Sequence, residues 1–191
     1  DNNKRKLPWR ISKNSKKNQY YRILSEFMLQ QTQVKTVIPY FKSFVNKVPN
    51  LKALSKSNEK KILKLWEGLG YYSRAKNLHK TSKILVKKYD SQIPDSFEKL
   101  KELPGIGDYT ANILLALIYN HPRIGIDGNV KRVLFRLFNL ETKDPANLFK
   151  TKRNGDLAEA LMEFGAIICK PKDPLCYKCL LKKNCLYYKS E

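Results

Sequence analysis

Apolar residues recur at spacings of three and four along most of the chain, and no stretch alternates apolar with polar residues between hairpin turns. Side chains three and four apart share one face of a helix, whereas a half-buried strand needs a period of two. The chain therefore reads as all-α. Ile23, Leu24, Phe27 and Met28, then Val34, Val37, Ile38, Phe41 and Phe44, outline two helices from Tyr20 onward. Ile62, Leu65 and Trp66 outline a third over Asn58 to Leu69, with Ser57 or Asn58 placed to cap it and Gly68 and Gly70 to end it. Further helices are expected from about Arg74 to Tyr89, from Pro94 and Asp95 to Leu103, and over Tyr109 to Tyr119, Gly128 to Phe138 and Asp156 to Ile168. Residues 1–19, polar and basic apart from Leu7, Pro8 and Trp9, read as an extended arm.

Composition narrows the function. The 191 residues include 38 Lys and Arg against 17 Asp and Glu, a net charge of +21. Such a balance favours a polyanionic partner, because each cation set on a phosphate releases condensed counterions. The longest apolar run, Ile113 to Tyr119, is far short of the roughly 20 residues that a membrane-spanning helix requires. The first ten residues have no apolar segment of the kind a secretory signal needs, and the chain starts without Met, as a trimmed chain would. All four cysteines, Cys169, Cys176, Cys179 and Cys185, fall within the last 23 residues. A disulfide framework would be spread along the chain, so the clustering points to a metal site in a reducing compartment.

Two motifs carry chemistry. Leu103-Pro104-Gly105-Ile106-Gly107 stands between two expected helices. Glycines at alternate positions turn backbone N–H groups outward, and the following helix N-terminus adds partial positive charge, which together make a phosphate cradle. The bland alternative is an ordinary tight turn. The cysteine spacing, Cys169-x6-Cys176-x2-Cys179-x5-Cys185, suits either tetrahedral zinc or an iron–sulfur cluster, and spacing alone leaves both open. Five lysines, at 170, 172, 178, 182 and 183, flank these ligands and would present positive charge to a nucleic-acid backbone.

Taken in order, Ser25 to Val34, Gly68 to Ala75, Leu103 to Thr110, Ile126 to Val133 and the four-cysteine loop resemble the helix-hairpin-helix DNA glycosylases. More narrowly, the chain looks like the catalytic domain of the MutY-type adenine DNA glycosylases, from Leu7 to Cys185. The resemblance implies a two-lobed all-α helix-hairpin-helix fold and a [4Fe-4S] cluster on Cys169, Cys176, Cys179 and Cys185. Residues 1–19 would form an arm of the cluster lobe, and 20–124 a central helical lobe with the hairpin at about 96–119. Residues 125–191 would supply the C-terminal helices and the cluster loop, 169–185, completing the second lobe. The partner implied is double-stranded DNA holding adenine opposite 8-oxoguanine or guanine, bound by a monomer in a reducing, DNA-containing compartment, the cytoplasm and nucleoid if bacterial.

Removing a base from a duplex requires extruding it and then breaking its bond to the sugar. Protonation turns the purine into a better leaving group, and a carboxyl in a partly apolar pocket is kept protonated near working pH. Glu26, followed by Phe27, Met28 and Leu29, fits the acid. A second carboxylate would stabilise the oxocarbenium-like sugar, and Asp127, before Gly128 and an expected helix, fits that role. Their bland readings are a solvated helix residue and a plain N-cap. The resemblance places the two across a cleft from one another, with Asn129 in the active site and Tyr109 beside the target nucleotide. It puts Gln31 and Tyr71 in the base stack and Leu29, Thr32, Arg74, Leu103, Gly105 and Gly107 against DNA. Trp9 and Arg10, in Pro8-Trp9-Arg10, match the adenine pocket.

A lysine at the position of Tyr109 marks the endonuclease III-like relatives that also cut the backbone through a Schiff base. A phenol cannot form one, so base removal without efficient strand cleavage is expected. The alternatives are a thymine mismatch glycosylase, which can also carry Tyr there, an endonuclease III-like glycosylase and lyase, and a non-catalytic DNA-binding iron–sulfur module. Full-length members carry a further C-terminal domain that helps recognise 8-oxoguanine, whereas this sequence stops at Glu191.

Overall fold

The computed structural model describes residues 5–11, 15–141 and 149–190. Among them there is no strand. The helices are α1 (Lys16–Leu29), α2 (Val34–Lys47), α3 (Leu51–Lys56), α4 (Glu59–Trp66), α5 (Ser73–Lys88), α6 (Phe97–Lys101), α7 (Asp108–Tyr119), α8 (Gly128–Phe138), α9 (Asn154–Ile167) and α10 (Leu186–Ser190). Short 3-10 turns occupy Cys176–Lys178 and Lys182–Asn184. No helix among the described residues is long and apolar enough to cross a membrane.

Local chemistry sets the helix starts. The side chains of Ser15, Asn50, Asn58, Ser96 and Asp127 each accept a hydrogen bond from a backbone N–H in the first turn that follows. Such caps satisfy donors that the helix itself cannot pair. The Ser15 cap corrects the arm reading: Lys16 to Gln19 are the first turn of α1, and Gln19 is buried, its Oε1 accepting from the Ile93 N–H at 2.8 Å. Of the expected arm, residues 1–4 and 12–14 lie outside the described residues.

The chain divides into two compact units at Leu114/Leu115, inside α7 and not near residue 124. The described arm residues, Arg5 to Ile11, group with the first unit instead of with the C-terminal helices. The first unit's core is built from the apolar faces of α1 and α2 (Tyr20, Ile23, Phe27, Phe41, Phe44), closed by Leu54, Ile62, Trp66, Leu78 and Leu85. Trp9 joins it edge-on to Phe41, ring centroids 5.3 Å apart, and Phe44 meets Trp66 in the same way at 6.2 Å. Edge-to-face packing sets the positive rim of one ring against the negative face of the other.

In the second unit α8 packs on α9 and α10. Val133, Leu137 and Cys185 form a buried cluster with Leu161, Phe164, Cys169 and Tyr187 against it. Helices α8 and α9 approach closely because Gly165 of α9 lies on Asn129 of α8, while Gly155 of α9 lies on the backbone of Ala116 in α7.

Candidate functional site

Asp127 is the N-cap of α8, with extended backbone (φ −91°, ψ −178°). Its Oδ1 accepts from the Val130 N–H at 2.7 Å, and its Oδ2 accepts from Asn129 Nδ2 at 3.3 Å. The capping oxygen and the Asn129-bound oxygen are different atoms, so the cap leaves a second carboxylate oxygen for chemistry. The helix N-terminus favours negative charge there. Asn129 is itself held: Arg132 donates to Asn129 Oδ1 at 2.8 Å, to the Gly165 carbonyl at 2.7 Å and to the Cys169 carbonyl at 2.9 Å. One guanidinium thereby links the carboxylate's neighbour to α9 and to the first cysteine.

Glu26 lies on α1 and is 7% exposed, which removes its reading as a solvated helix residue. Its neighbours Ser25, Phe27 and Met28 are also buried. Tyr109 is half-buried in the first turn of α7. The preceding turn is a true hairpin between α6 and α7. Gly105 has φ +81°, and a Cβ there would stand 2.8 Å from Phe27 Cε1 and 2.9 Å from Asn77 Cβ, so both conformation and space require glycine. Gly105 and Gly107 are exposed, whereas Leu103 is 3% exposed. The Leu103 side chain is thus anchored in the core.

Arg74 is turned into the protein and is 6% exposed. Its Nη1 donates to the carbonyls of Phe27 (3.3 Å), Met28 (2.9 Å) and Gln30 and to Thr32 Oγ1 (3.1 Å), while Nη2 donates to the carbonyls of Leu69 and Gly70, both at 3.1 Å. Around it stand the exposed side chains of Gln31 and Tyr71, the latter 61% exposed, with Leu29 and Thr32 half-buried between. Gln31 and Tyr71 have φ of +57° and +46°. Gln30 Nε2 donates to the Gly105 carbonyl at 3.3 Å, tying this assembly to the hairpin.

The four cysteines form no disulfide and line one cavity of about 350 Å³, counting the solvent at its mouth, together with Arg136, Phe164, Ile168 and Tyr187. Among the described residues no three His, Cys, Asp or Glu side chains stand close enough to hold one metal ion. Arg136 Nη1 lies 3.7 Å from Cys169 Sγ and donates to the Lys170 carbonyl at 2.6 Å, and Cys185 Sγ donates to the Arg136 carbonyl at 3.3 Å. The Arg136 guanidinium also covers the Tyr187 ring, 4.6 Å from its centroid. Four thiols around one cavity with a nearby cation are a donor set that suits an anionic iron–sulfur cluster.

Trp9 is buried in the first unit's core, and Arg10 donates to the Arg5 carbonyl at 3.1 Å. In the sequence Arg136 and Gly165 carry no assigned role, and Arg132 and Gln30 enter only as members of longer motifs. Their roles come from contacts distant along the chain, and a lone helical arginine gives no local signal.

Residues 24–155 match the model of the HhH-GPD superfamily base excision DNA repair protein. The chain is 43% identical over 95% of its length to an adenine DNA glycosylase of Buchnera aphidicola subsp. Baizongia pistaciae, covering 54% of that protein. It is 36% identical over 97% of its length to the adenine DNA glycosylase of Homo sapiens, covering 37% of it. The chain thus spans about half the length of the bacterial relative and less of the human one. Its fold matches a thermostable thymine-DNA glycosylase with a TM-score of 0.86 and 27% identity, over 98% of this chain and 90% of that one. A non-covalent endonuclease III–DNA complex matches at 0.78 with 21% identity, over 95% and 87%, a likeness of fold alone.

Proposed function

This chain belongs to the HhH-GPD superfamily of base excision DNA repair proteins, and from that premise we propose that it removes adenine mispaired with 8-oxoguanine or guanine in double-stranded DNA. The observation that carries the reading is Asp127, capped through one oxygen and met by Asn129 at the other, in a chain 43% identical to an adenine DNA glycosylase. In this reading the extruded adenine is protonated on a ring nitrogen by Glu26. The bond from base to sugar then breaks, and the positive charge that develops on the sugar is stabilised by Asp127. Water adds to the sugar, its proton passing to the Glu26 carboxylate left by the first step, and an abasic site remains.

Tyr109 stands where a lyase would need an amine, so the reaction ends at base removal. The glycines of the hairpin approach the phosphate backbone, and Gln31 and Tyr71 enter the stack that the adenine leaves. A [4Fe-4S] cluster on Cys169, Cys176, Cys179 and Cys185 would supply a covalent cross-link of the C-terminal loop. Arg136 would offset its negative charge, and the lysines around it would face DNA in a reducing compartment. The thymine mismatch reading is favoured by one observation, the fold match to a thymine-DNA glycosylase.

The test is Glu26→Gln in the purified protein, with release of free base and duplex binding measured together. Base release should fall by about 10²-fold or more while binding stays within a few-fold. Full turnover by Glu26→Gln would remove Glu26 as the acid.

A further inference from the structure

We propose that Arg74 is a positioning residue for base extrusion: from inside the protein it fastens two loops into one preformed wedge that presents Gln31 and Tyr71. The proposal rests on the reading above of Gln31 and Tyr71 as the residues that enter the stack.

Both residues sit in a left-handed backbone region, φ +57° and +46°, that L-residues other than Asn and Asp seldom adopt. Neither is glycine, so the surrounding structure must hold them there. Gln31 follows the C-terminus of α1, and Tyr71 lies between α4 and α5. Forty residues separate them, and Arg74 is the group that meets both segments. Its Nη1 takes the carbonyls of Met28 and Gln30 and the hydroxyl of Thr32, on either side of Gln31. Its Nη2 takes the carbonyls of Leu69 and Gly70, directly before Tyr71.

A guanidinium suits this task, because its planar fork sends donors in two fixed directions at once. The carbonyls at the end of α1 lack helical partners and carry the negative end of its dipole, so a buried cation completes that helix. The Arg74 guanidinium carbon also stands over two rings, 5.6 Å from the Trp66 centroid and 5.4 Å from that of Tyr71. Trp66 Nε1 adds a bond to the Gly70 carbonyl at 3.1 Å. The result is a rigid base from which one exposed polar and one exposed aromatic side chain project. Pre-organisation of this kind matters for extrusion, since a wedge that must order itself on DNA loses binding free energy to that ordering.

The experiment uses Arg74→Lys, which keeps a cation but loses the fork. Amide hydrogen exchange of the free protein is followed first. Exchange at Gln30, Thr32 and Leu69, whose N–H groups close these turns, should accelerate about tenfold or more, while α2 and α8 keep wild-type protection. A duplex with 2-aminopurine at the target position then reports unstacking. Arg74→Lys should bind it within about threefold of wild type but lose the fluorescence rise and about tenfold or more of the single-turnover rate. Wild-type exchange at those three amides would overturn the proposal, as would exchange accelerated equally throughout the protein, which is the mark of a merely structural arginine.

If Arg74→Lys does not fold, Thr32→Val removes one acceptor and should show the same local pattern at smaller size. Tyr71→Ala and Gln31→Ala separate the two readings. If neither reduces the fluorescence rise of the wild type, the wedge reading fails, whereas the exchange result on free protein still decides what Arg74 holds.

Discussion

Replacing Gly165 with Ala sets two well-known effects against each other. In a helix interior Ala is favoured over Gly by about 1 kcal/mol, so propensity alone predicts stabilisation of α9. The structure predicts the reverse. A Cβ at Gly165 would lie 2.7 Å from Asn129 Cβ, 3.1 Å from its carbonyl oxygen and 3.2 Å from its carbonyl carbon. None of these is the far end of a flexible side chain, so α8 and α9 must separate by roughly 0.7 Å to restore ordinary contact, and overpacking of this kind costs about 1–3 kcal/mol. The net expectation is a loss of about 1 kcal/mol, which for a chain of this size lowers Tm by about 2–4 °C. Activity should suffer more than stability. Asn129 contacts Asp127, and a displacement approaching 1 Å in such a group can lower the rate by about 10²-fold. Thermal denaturation and single-turnover base release, measured on the same preparation, test this. A Gly165→Ala protein that is as stable as wild type and as fast would refute the close-packing argument and the role given to Asn129 together.

Arg132→Leu deletes bonds to Asn129, Gly165 and Cys169 at once; stability should fall by about 3 kcal/mol in urea denaturation and base release by about tenfold or more, with Arg132→Lys recovering only part. His79 is buried, and burial followed by the nearby charge of Lys83 pushes its pKa below the ordinary value. The unfolded chain therefore binds a proton more readily, so this contribution is fully present above about pH 6.5 and is lost as pH falls towards the folded pKa. His79→Phe should flatten that part of the stability profile, and an unchanged slope between pH 7 and 5 would count against it. Cys176→Ser should lower the iron and acid-labile sulfide that co-purify with the protein and loosen the Cys169 to Cys185 loop to proteolysis, and equal metal content in both proteins would remove the cluster assignment.

Helix positions were legible where apolar spacing and capping residues agree. The bounds expected for α8, Gly128 to Phe138, are those observed, because Asp127 caps one end and Asn139 takes the left-handed turn at the other. The six-residue α3 escaped notice: it is too short for periodicity to register, and only Asn50 accepting from the Ala53 N–H marks its start. The start of α1 was hidden by a run of Lys and Asn, two of whose polar neighbours, Asn18 and Gln19, are buried. The site shows the same division. Glu26, Asp127 and the cysteines were visible as residue types in a recognisable order. The inward orientation of Arg74 and Leu103 was not, since a basic or apolar residue next to a motif reads alike whether it faces DNA or the core.

The most direct test of the account is strand analysis of end-labelled duplexes holding adenine opposite 8-oxoguanine, adenine opposite guanine, and thymine opposite guanine, each incubated with the protein and resolved with and without hot alkali. The account predicts cleavage of the adenine strand only after alkali, the signature of base removal that leaves the backbone intact. Cleavage without alkali would contradict the role given to Tyr109, and product from the thymine strand alone would contradict adenine as the substrate.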